Sequence, residues 1–251
     1  MSFLSEIIAK KHEEIPCIRA DAQIRKLKKS FIQALRMRCP SLIAEIKPRS
    51  PSRGTLIEPA DIPVLLQEYN AHADAISVLC DNGFFGGGYD LLSDVRLQTE
   101  LPILAKEFIV HTSQIDAANQ AGADAILLIA AMLSREELRD LALYAEERGM
   151  AVLLEIHAEE EIERIPSLSA DAMMLGINNR NLMTLEIDLA TTPKLAKPLR
   201  EKFPKHILIA ESGTTTSEHV RKLTPIVDGF LIGTGLLNTE SRAEILRHFP
   251  M

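Results

Sequence analysis

Charged side chains stand at the ends of several short apolar runs in this chain. Glu45 and Lys47 end the first run, Lys106 ends the third, and Glu155 and His157 end the fifth. If the runs are β-strands, alternate residues point the same way, so each pair shares one face. Lysines and carboxylates in a partly buried pocket shift one another's pKa and can supply a general acid and a general base at one pH. Because each group is costly to bury alone, the pattern favours an active site over a solvated rim.

The later runs end in an amide, a carboxylate and glycine-rich turns. Asn178 ends the sixth run, Glu211 ends the seventh just before Gly213, and Gly233 and Thr234 follow the eighth. Glycines let backbone N–H groups approach an anion closely. A tight turn would explain either glycine alone, whereas their occurrence after two successive strands favours a phosphate site.

The apolar runs predict the elements that carry these residues. They are near-continuous, and a helical stretch follows each of them, as in a parallel sheet covered by helices. Their number and spacing predict an α/β fold, a (β/α)8 barrel, in which the C-terminal strand ends form the active-site face. The runs cover residues 42–47, 75–79, 102–106, 125–129, 152–157, 173–178, 207–211 and 227–233.

Helical periodicity predicts the remaining elements. Ser134 and Thr215, each followed three residues later by glutamate, are predicted helix caps. Residues 1–251 are interpreted as a single barrel domain in which residues 1–40 form an N-terminal helical extension. The extension contains helical segments at 3–14 and 21–36, and the second is interpreted as a lid or plug over part of the barrel. The predicted barrel helices are 59–71, 90–98, 112–121, 134–148, 158–165, 189–202, 216–222 and 241–249.

Composition narrows the class of protein. The net charge of −7 argues against a nucleic-acid or anionic-membrane surface, although a local basic pocket for an anionic small molecule remains open. The three cysteines have no metal-binding spacing and are interpreted as free thiols. No signal peptide or membrane span is expected, so a cytoplasmic location is predicted. His157 is interpreted as a positioning or structural residue, and no metal cluster is expected.

Several ordered motifs give the chain a strong likeness to a known family. They are IAEIKPRSPS at 43–52, KEFI at 106–109, LEIH at 154–157, GINNRNL at 176–182 and ESG at 211–213. With these motifs and the N-terminal helices, the chain resembles indole-3-glycerol phosphate synthase over nearly its whole length. The resemblance implies conversion of 1-(2-carboxyphenylamino)-1-deoxyribulose 5-phosphate into indole-3-glycerol phosphate, with release of CO2 and water. It implies no metal or organic cofactor, and it leaves open an association with other tryptophan-pathway enzymes.

The resemblance also implies catalytic roles. Lys106 is the general acid that protonates the departing carbonyl oxygen. Lys47 holds the anthranilate carboxylate, and a part in proton transfer stays open. Glu155 is a general base or stabilises positive charge on the ring nitrogen, while Glu45 and Glu211 orient the lysines.

The same resemblance implies the binding residues. Asn178 and Arg180 contact the substrate or brace the loop after the sixth strand. Phe85 and Phe108, with the apolar run at 127–129, hold the anthranilate ring. The phosphate is assigned to Ser50, Gly213, Gly233 and Thr234, and Ser212 is counted among the substrate-binding residues. The chain departs from the family's common pattern at Ala105, Glu107, Cys80 and Gly88.

Three alternatives remain at the level of sequence. A class I aldolase would use Lys106 as an amine nucleophile, and a sugar-phosphate isomerase would need only an acid/base pair. A binding protein without catalytic activity is disfavoured because Lys47, Lys106 and Glu155 are all present. Borohydride trapping with substrate separates the aldolase from the others.

Overall fold

The computed structural model describes residues 3–18, 30–51 and 53–249. Within these ranges eight parallel strands close into a barrel, so the predicted (β/α)8 fold is confirmed. Each strand lies within two residues of its predicted run. The barrel strands are β1 (Ser41–Ile46), β4 (Ala75–Leu79), β5 (Ile103–Lys106), β6 (Ala125–Ile129), β7 (Ala151–Ile156), β8 (Met173–Asn178), β9 (Leu208–Glu211) and β10 (Gly229–Ile232); the short strands β2 (Arg49–Ser50) and β3 (Gly54–Thr55) pair as a separate hairpin.

Alternation along the strands sets which side chains reach the lumen. On β1, Leu42 and Ala44 pack in the apolar layer between sheet and helices. Ile43 packs in a second apolar cluster with residues of the other strands, inside the barrel. Glu45 is two residues beyond Ile43, so it shares the lumen face. The strands follow one another around the barrel in chain order, and β10 pairs with β1 to close it.

The described helices follow the predictions with two corrections. Residues 158–165 contain a 3₁₀ helix, Glu159–Arg164, instead of the predicted α-helix. Pro166 restricts the backbone of Ile165 to an extended conformation, which ends the element. The cap of the next-to-last helix is Thr216, which accepts from the His219 N–H, and not Thr215. The helices are α1 (Phe3–Glu14), α2 (Phe31–Arg36), α3 (Ile62–His72), α4 (Tyr89–Arg96), α5 (Thr112–Ala121), α6 (Arg135–Glu147), α7 (Thr191–Lys202), α8 (Ser217–Leu223) and α9 (Thr239–Leu246).

The two N-terminal helices lie at opposite ends of the barrel. On α2, Phe31 and Leu35 are buried in the lumen cluster, and Arg36 pairs with Asp171 just before β8. This places α2 at the N-terminal strand ends; residues 21–29 of the predicted segment lie outside the described residues. Lys11 of α1 instead contacts groups that follow β4 and β5, so α1 lies at the C-terminal end. None of the described helices is long and apolar enough to cross a membrane.

Candidate active site

Four alternate strands each contribute one charged residue to the C-terminal end of the lumen. They are Glu45 on β1, Lys106 on β5, Glu155 on β7 and Glu211 on β9. Alternate strands of such a barrel fill a common layer of side chains. The Lys106 Nζ lies 2.5 Å from Glu211 Oε2 and 3.6 Å from Glu155 Oε2. Gly176 on β8 makes room for this contact, because a Cβ there would lie 2.1 Å from Glu211 Oε1.

The charges of this layer set the protonation of its members. Burial opposes the charge of Lys106, but Glu211, Glu155 and Glu45 outweigh it and raise the pKa of the ammonium. Burial also opposes the charge of Glu155, yet Lys106 and His157 hold the pKa of Glu155 well below its usual value. For Glu211, burial and the charge of Glu155 prevail over Lys106 and raise the pKa. The layer therefore holds a charged lysine, an ionised carboxylate and a carboxyl group that retains its proton to higher pH.

Glu45 and Lys47 form a second pair at the rim of the same layer. The Lys47 Nζ donates to Glu45 Oε1 at 2.6 Å. Burial opposes ionisation of Glu45, but Lys47 and Lys106 lower its pKa. A Cβ on Gly233 would lie only 2.2 Å from Glu45 Oε1. The glycine at 233 is therefore required by Glu45, whether or not an anion binds to its backbone.

Glu155 is fixed by two further side chains. The Asn178 Nδ2 donates to Glu155 Oε1 at 2.9 Å, and the His157 Nε2 lies 3.1 Å from the same oxygen. Burial opposes the charge of His157, but Glu155 and Glu161 raise its pKa to about 10. The raised pKa favours the charged imidazolium at neutral pH, which places a positive charge beside Glu155. A positioning role for His157 stays a prediction.

Arg180 and Asn178 brace the loop after β8. The Asn178 Oδ1 accepts from the Arg180 backbone N–H at 2.9 Å, and the Arg180 Nη1 donates to the Leu185 carbonyl at 2.8 Å. Burial, with the nearby charge of Arg53, lowers the pKa of Arg180. Two guanidinium groups thus face the cavity, which favours an anionic ligand.

The loop after β9 has a backbone that few residues adopt. Ser212 and Gly213 have φ values of 60° and 81°, in the left-handed region. Asn179 holds this loop through Nδ2, which donates to the carbonyls of Glu211 at 3.1 Å and Ser212 at 3.0 Å. A Cβ on Gly213 would also lie 2.7 Å from side-chain atoms of Ile187 and Leu189.

An apolar wall closes another side of the cavity. The rings of Phe85 and Phe108 have centroids 5.9 Å apart with an interplanar angle of 35°. Leu127 and Ile129 of β6 also line the cavity, as does Phe3 of α1. This wall faces the charged layer, so the cavity is apolar on one side and ionic on the other.

All the predicted site residues except Glu211 and Leu128 line this one cavity of the described chain. Leu128 packs in the apolar layer between sheet and helices, because alternate residues of β6 point away from the lumen, so its assignment to the ring surface is wrong. Glu211 lies behind Lys106, almost fully buried. The cavity is also lined by Phe3, Arg53 and Thr214, which are not among the predicted site residues. Arg53 lies in the loop after β1, just before β3, whereas the position of Phe3 depends on how α1 packs on the barrel. Across residues 3–18, 30–51 and 53–249, no group of three or more His, Cys, Asp or Glu side chains is arranged to hold a metal ion.

Comparisons with known proteins identify the family of the chain. Residues 4–249 match the family model described as "Indole-3-glycerol phosphate synthase". The chain is 40% identical over 255 residues to the indole-3-glycerol phosphate synthase of Polaromonas naphthalenivorans, with 94% of each chain covered. It is 42% identical over 209 residues to the "Tryptophan biosynthesis protein TrpCF" of Vibrio parahaemolyticus, covering 83% of this chain but only 43% of that protein.

A solved structure supports the fold alone. A chain of the tryptophan synthase a2b2 complex from Pyrococcus furiosus superposes with a TM-score of 0.59 at 16% identity, covering 84% of this chain and 96% of that chain. The assignment to a family rests on the family model and on the relative that matches over nearly its full length. The chain belongs to the indole-3-glycerol phosphate synthase family.

Proposed function

We propose that the charged layer carries out the family reaction, conversion of 1-(2-carboxyphenylamino)-1-deoxyribulose 5-phosphate into indole-3-glycerol phosphate. The observation that carries this proposal is the position of Lys106, an ammonium held between Glu155 and Glu211 at the floor of a cavity with an apolar wall. Because the pKa of Lys106 is raised, a proton is available for transfer at neutral pH.

The substrate binds with its aromatic ring against the apolar wall. Phe85, Phe108, Leu127 and Ile129 supply a surface for the ring. Lys47, at the rim, pairs with the carboxylate of the ring in place of Glu45. This orientation brings the carbonyl carbon of the sugar chain towards the charged layer and towards Lys106.

Ring closure then joins the ring carbon that bears the carboxylate to the carbonyl carbon. Lys106 gives its proton to the carbonyl oxygen as that bond forms, and positive charge passes to the ring and its nitrogen. Glu155 stabilises this charge more than it stabilises the neutral ground state. Loss of CO2 removes the charge. The new hydroxyl group then leaves as water with a proton from an acid, and removal of a proton by a carboxylate completes the indole.

The phosphate is placed at the loops after β9 and β10. Backbone N–H groups of Gly213, Gly233 and Thr234 are the donors proposed there, with Ser212 beside them. The Oγ of Ser50 supports the assignment, because it is buried without a hydrogen-bond partner among the described residues. A buried hydroxyl without a partner is costly, and a phosphate oxygen would satisfy it.

An aldolase mechanism is disfavoured by the same geometry. A Schiff base requires a neutral amine, whereas the carboxylates around Lys106 favour its charged form. Borohydride should therefore fail to trap a covalent adduct at Lys106 in the presence of substrate. Trapping of that adduct would favour the aldolase.

A direct assay tests the proposed function. The purified chain is given the carboxyphenylamino substrate, and the fluorescence of indole-3-glycerol phosphate is followed together with release of CO2. We expect equal amounts of both products and no activity with the isomerase substrate glyceraldehyde 3-phosphate. A substrate that lacks the phosphate should bind much more weakly, and equal binding would contradict the phosphate assignment.

We also propose a partner and a cellular location for the enzyme. The name of the TrpCF relative, which is more than twice the length matched here, supports association with another enzyme of tryptophan biosynthesis. The cytoplasm is the proposed location, on the basis of the free cysteines and the biosynthetic role. Cell fractionation and size-exclusion chromatography with the other pathway enzymes test the two proposals separately.

A further inference from the structure

Lys11 of α1 is a buried cation outside the charged layer. Its side chain is only 1% exposed, and its Nζ lies 2.7 Å from Asp81 Oδ2, 2.9 Å from Glu107 Oε1 and 2.9 Å from Glu14 Oε2. Burial opposes its charge, but Glu107 and Asp81 outweigh that effect and raise the pKa of Lys11. A lysine this buried persists as a cation only with such partners.

The carboxylates that Lys11 contacts also hold the backbone of the apolar wall. Asp81 Oδ1 accepts from the backbone N–H groups of Phe84 at 2.6 Å and Phe85 at 3.1 Å. Glu107 Oε1 accepts from the backbone N–H of Phe108 at 2.7 Å. One ammonium therefore fixes the two loops that present Phe85 and Phe108 to the cavity.

The same helix reaches the cavity directly. The ring of Phe3 packs edge-on against Phe84 at a centroid distance of 5.4 Å, and Phe3 lines the cavity. Glu107 follows Lys106 in sequence, so a shift of Glu107 would also move the end of β5. The Lys11 contacts thus connect α1 both to the aromatic wall and to the strand that carries the proposed general acid.

We propose that Lys11 is a positioning residue for the reaction, which acts by holding Asp81 and Glu107 so that Phe85 and Phe108 stay aligned against the substrate ring. The proposal rests on the proposed function for what the wall binds. The contacts of Lys11 with Asp81 and Glu107 are observed in the structure and do not depend on that function. Removal of the ammonium leaves two buried carboxylates without a cationic partner and removes the link between α1 and both loops.

Steady-state kinetics give the first test. Lys11→Met should raise KM about tenfold with a smaller fall in kcat, because a misaligned wall weakens binding of the ring. Asp81→Asn keeps an oxygen that accepts from the Phe84 and Phe85 amides, leaves Lys11 paired with Glu107, and should raise KM by a smaller factor. The Asp81 variant therefore tests the proposal even if the Lys11 variant does not fold.

A matched control separates positioning from general stability. Arg148→Met breaks a partly buried ion pair, Arg148 Nε to Asp116 Oδ1 at 2.5 Å, between outer helices remote from the cavity. It should lower the melting temperature and leave KM unchanged. If the folded variants at Lys11 and Asp81 lose stability as the control does while KM stays within twofold of wild type, the proposal is overturned.

Amide exchange provides a readout that does not depend on the enzyme's activity. Selective ¹⁵N labelling of the eight phenylalanines gives a small set of NMR signals. Lys11→Met should speed exchange at Phe84, Phe85 and Phe108 and leave Phe230 of β10 protected. Unchanged exchange at all four in the folded variant would contradict the proposal. If the wild type fails to turn over the substrate but the exchange pattern changes as expected, the proposed function is wrong and the positioning contact stands.

Discussion

Replacement of Glu155 by glutamine removes one charge from the layer and little else. The amide keeps the shape of the side chain and can still bond to Asn178, whose Nδ2 lies 2.9 Å from Glu155 Oε1. Lys106 keeps its closer partner, Glu211, at 2.5 Å. Loss of the negative charge at 155 also removes a repulsion that raises the pKa of Glu211. The variant should therefore fold, with Glu211 more fully ionised beside Lys106.

The expected loss of activity follows from Coulomb's law. A unit positive charge about 4 Å from a carboxylate gains about 4 kcal/mol at an effective dielectric constant of about 20. Only part of a unit charge develops on the ring nitrogen during ring closure, so roughly 1.4 to 4 kcal/mol of transition-state stabilisation depends on Glu155. Glu155→Gln should lower kcat by about ten- to a thousandfold, with a smaller effect on substrate affinity.

The assay is the fluorescence of indole-3-glycerol phosphate, measured with the melting temperature on the same preparation. Asp124→Asn is the control, because Asp124 is a buried carboxylate paired with Arg96 and bonded to the backbone at the N-terminal end of β5. The control should lose stability and keep its kcat. If Glu155→Gln instead loses stability while keeping most of its kcat, Glu155 serves only the packing of the layer, and the reasoning fails.

Three further predictions concern the same end of the barrel. Lys106→Met should lower kcat about a hundredfold or more in a folded protein, and near-normal single-turnover rates would contradict its role as general acid. Gly233→Ala should lower kcat/KM at least about tenfold because its Cβ would lie 2.2 Å from Glu45 Oε1, whereas Gly83→Ala, with no atom within 4 Å, should leave it unchanged. The pKa of His157, raised from 6.5 to about 10, predicts stabilisation that is complete below pH 6.5 and lost as the pH rises through 10. The stability difference between wild type and His157→Gln in urea should therefore shrink over that range, and a difference independent of pH would refute the contribution of this charge.

The fold was predictable because buried parallel strands leave an unmistakable pattern. Both faces of each strand are covered, so runs such as 125–129 are apolar throughout. The register then follows from which residue ends each run, and this placed Glu45, Lys106 and Glu155 at one end of the barrel. The sequence pattern failed at 158–165, where charged and apolar residues have helical spacing but the structure has a 3₁₀ helix, which Pro166 ends by restricting Ile165 to an extended conformation.

Contacts between distant segments could not be predicted in the same way. Lys11 lies in a helix rich in charged residues, where a lysine ordinarily faces solvent. Its burial depends on Asp81 and Glu107, which belong to loops about 70 and 96 residues further along the chain. The periodicity of α1 indicates which face is apolar, but it does not indicate which loops will cover its polar residues. The sequence likewise does not predict the space that Gly233 leaves for Glu45, because the two residues are distant in the chain.

The balance of charge in the layer explains why the pKa of one carboxyl group is raised while the pKa values of the other two are lowered. Glu45, Glu155 and Glu211 share two lysines, Lys47 and Lys106, within the described site. Glu45 pairs with Lys47, whereas Glu155 lies beside both Lys106 and His157. Glu211 is fully buried and has Lys106 as its cationic partner among the described residues, so burial and the nearby charge of Glu155 raise its pKa. An acid and a base can thus coexist in one layer because three carboxylates compete for two ammonium groups.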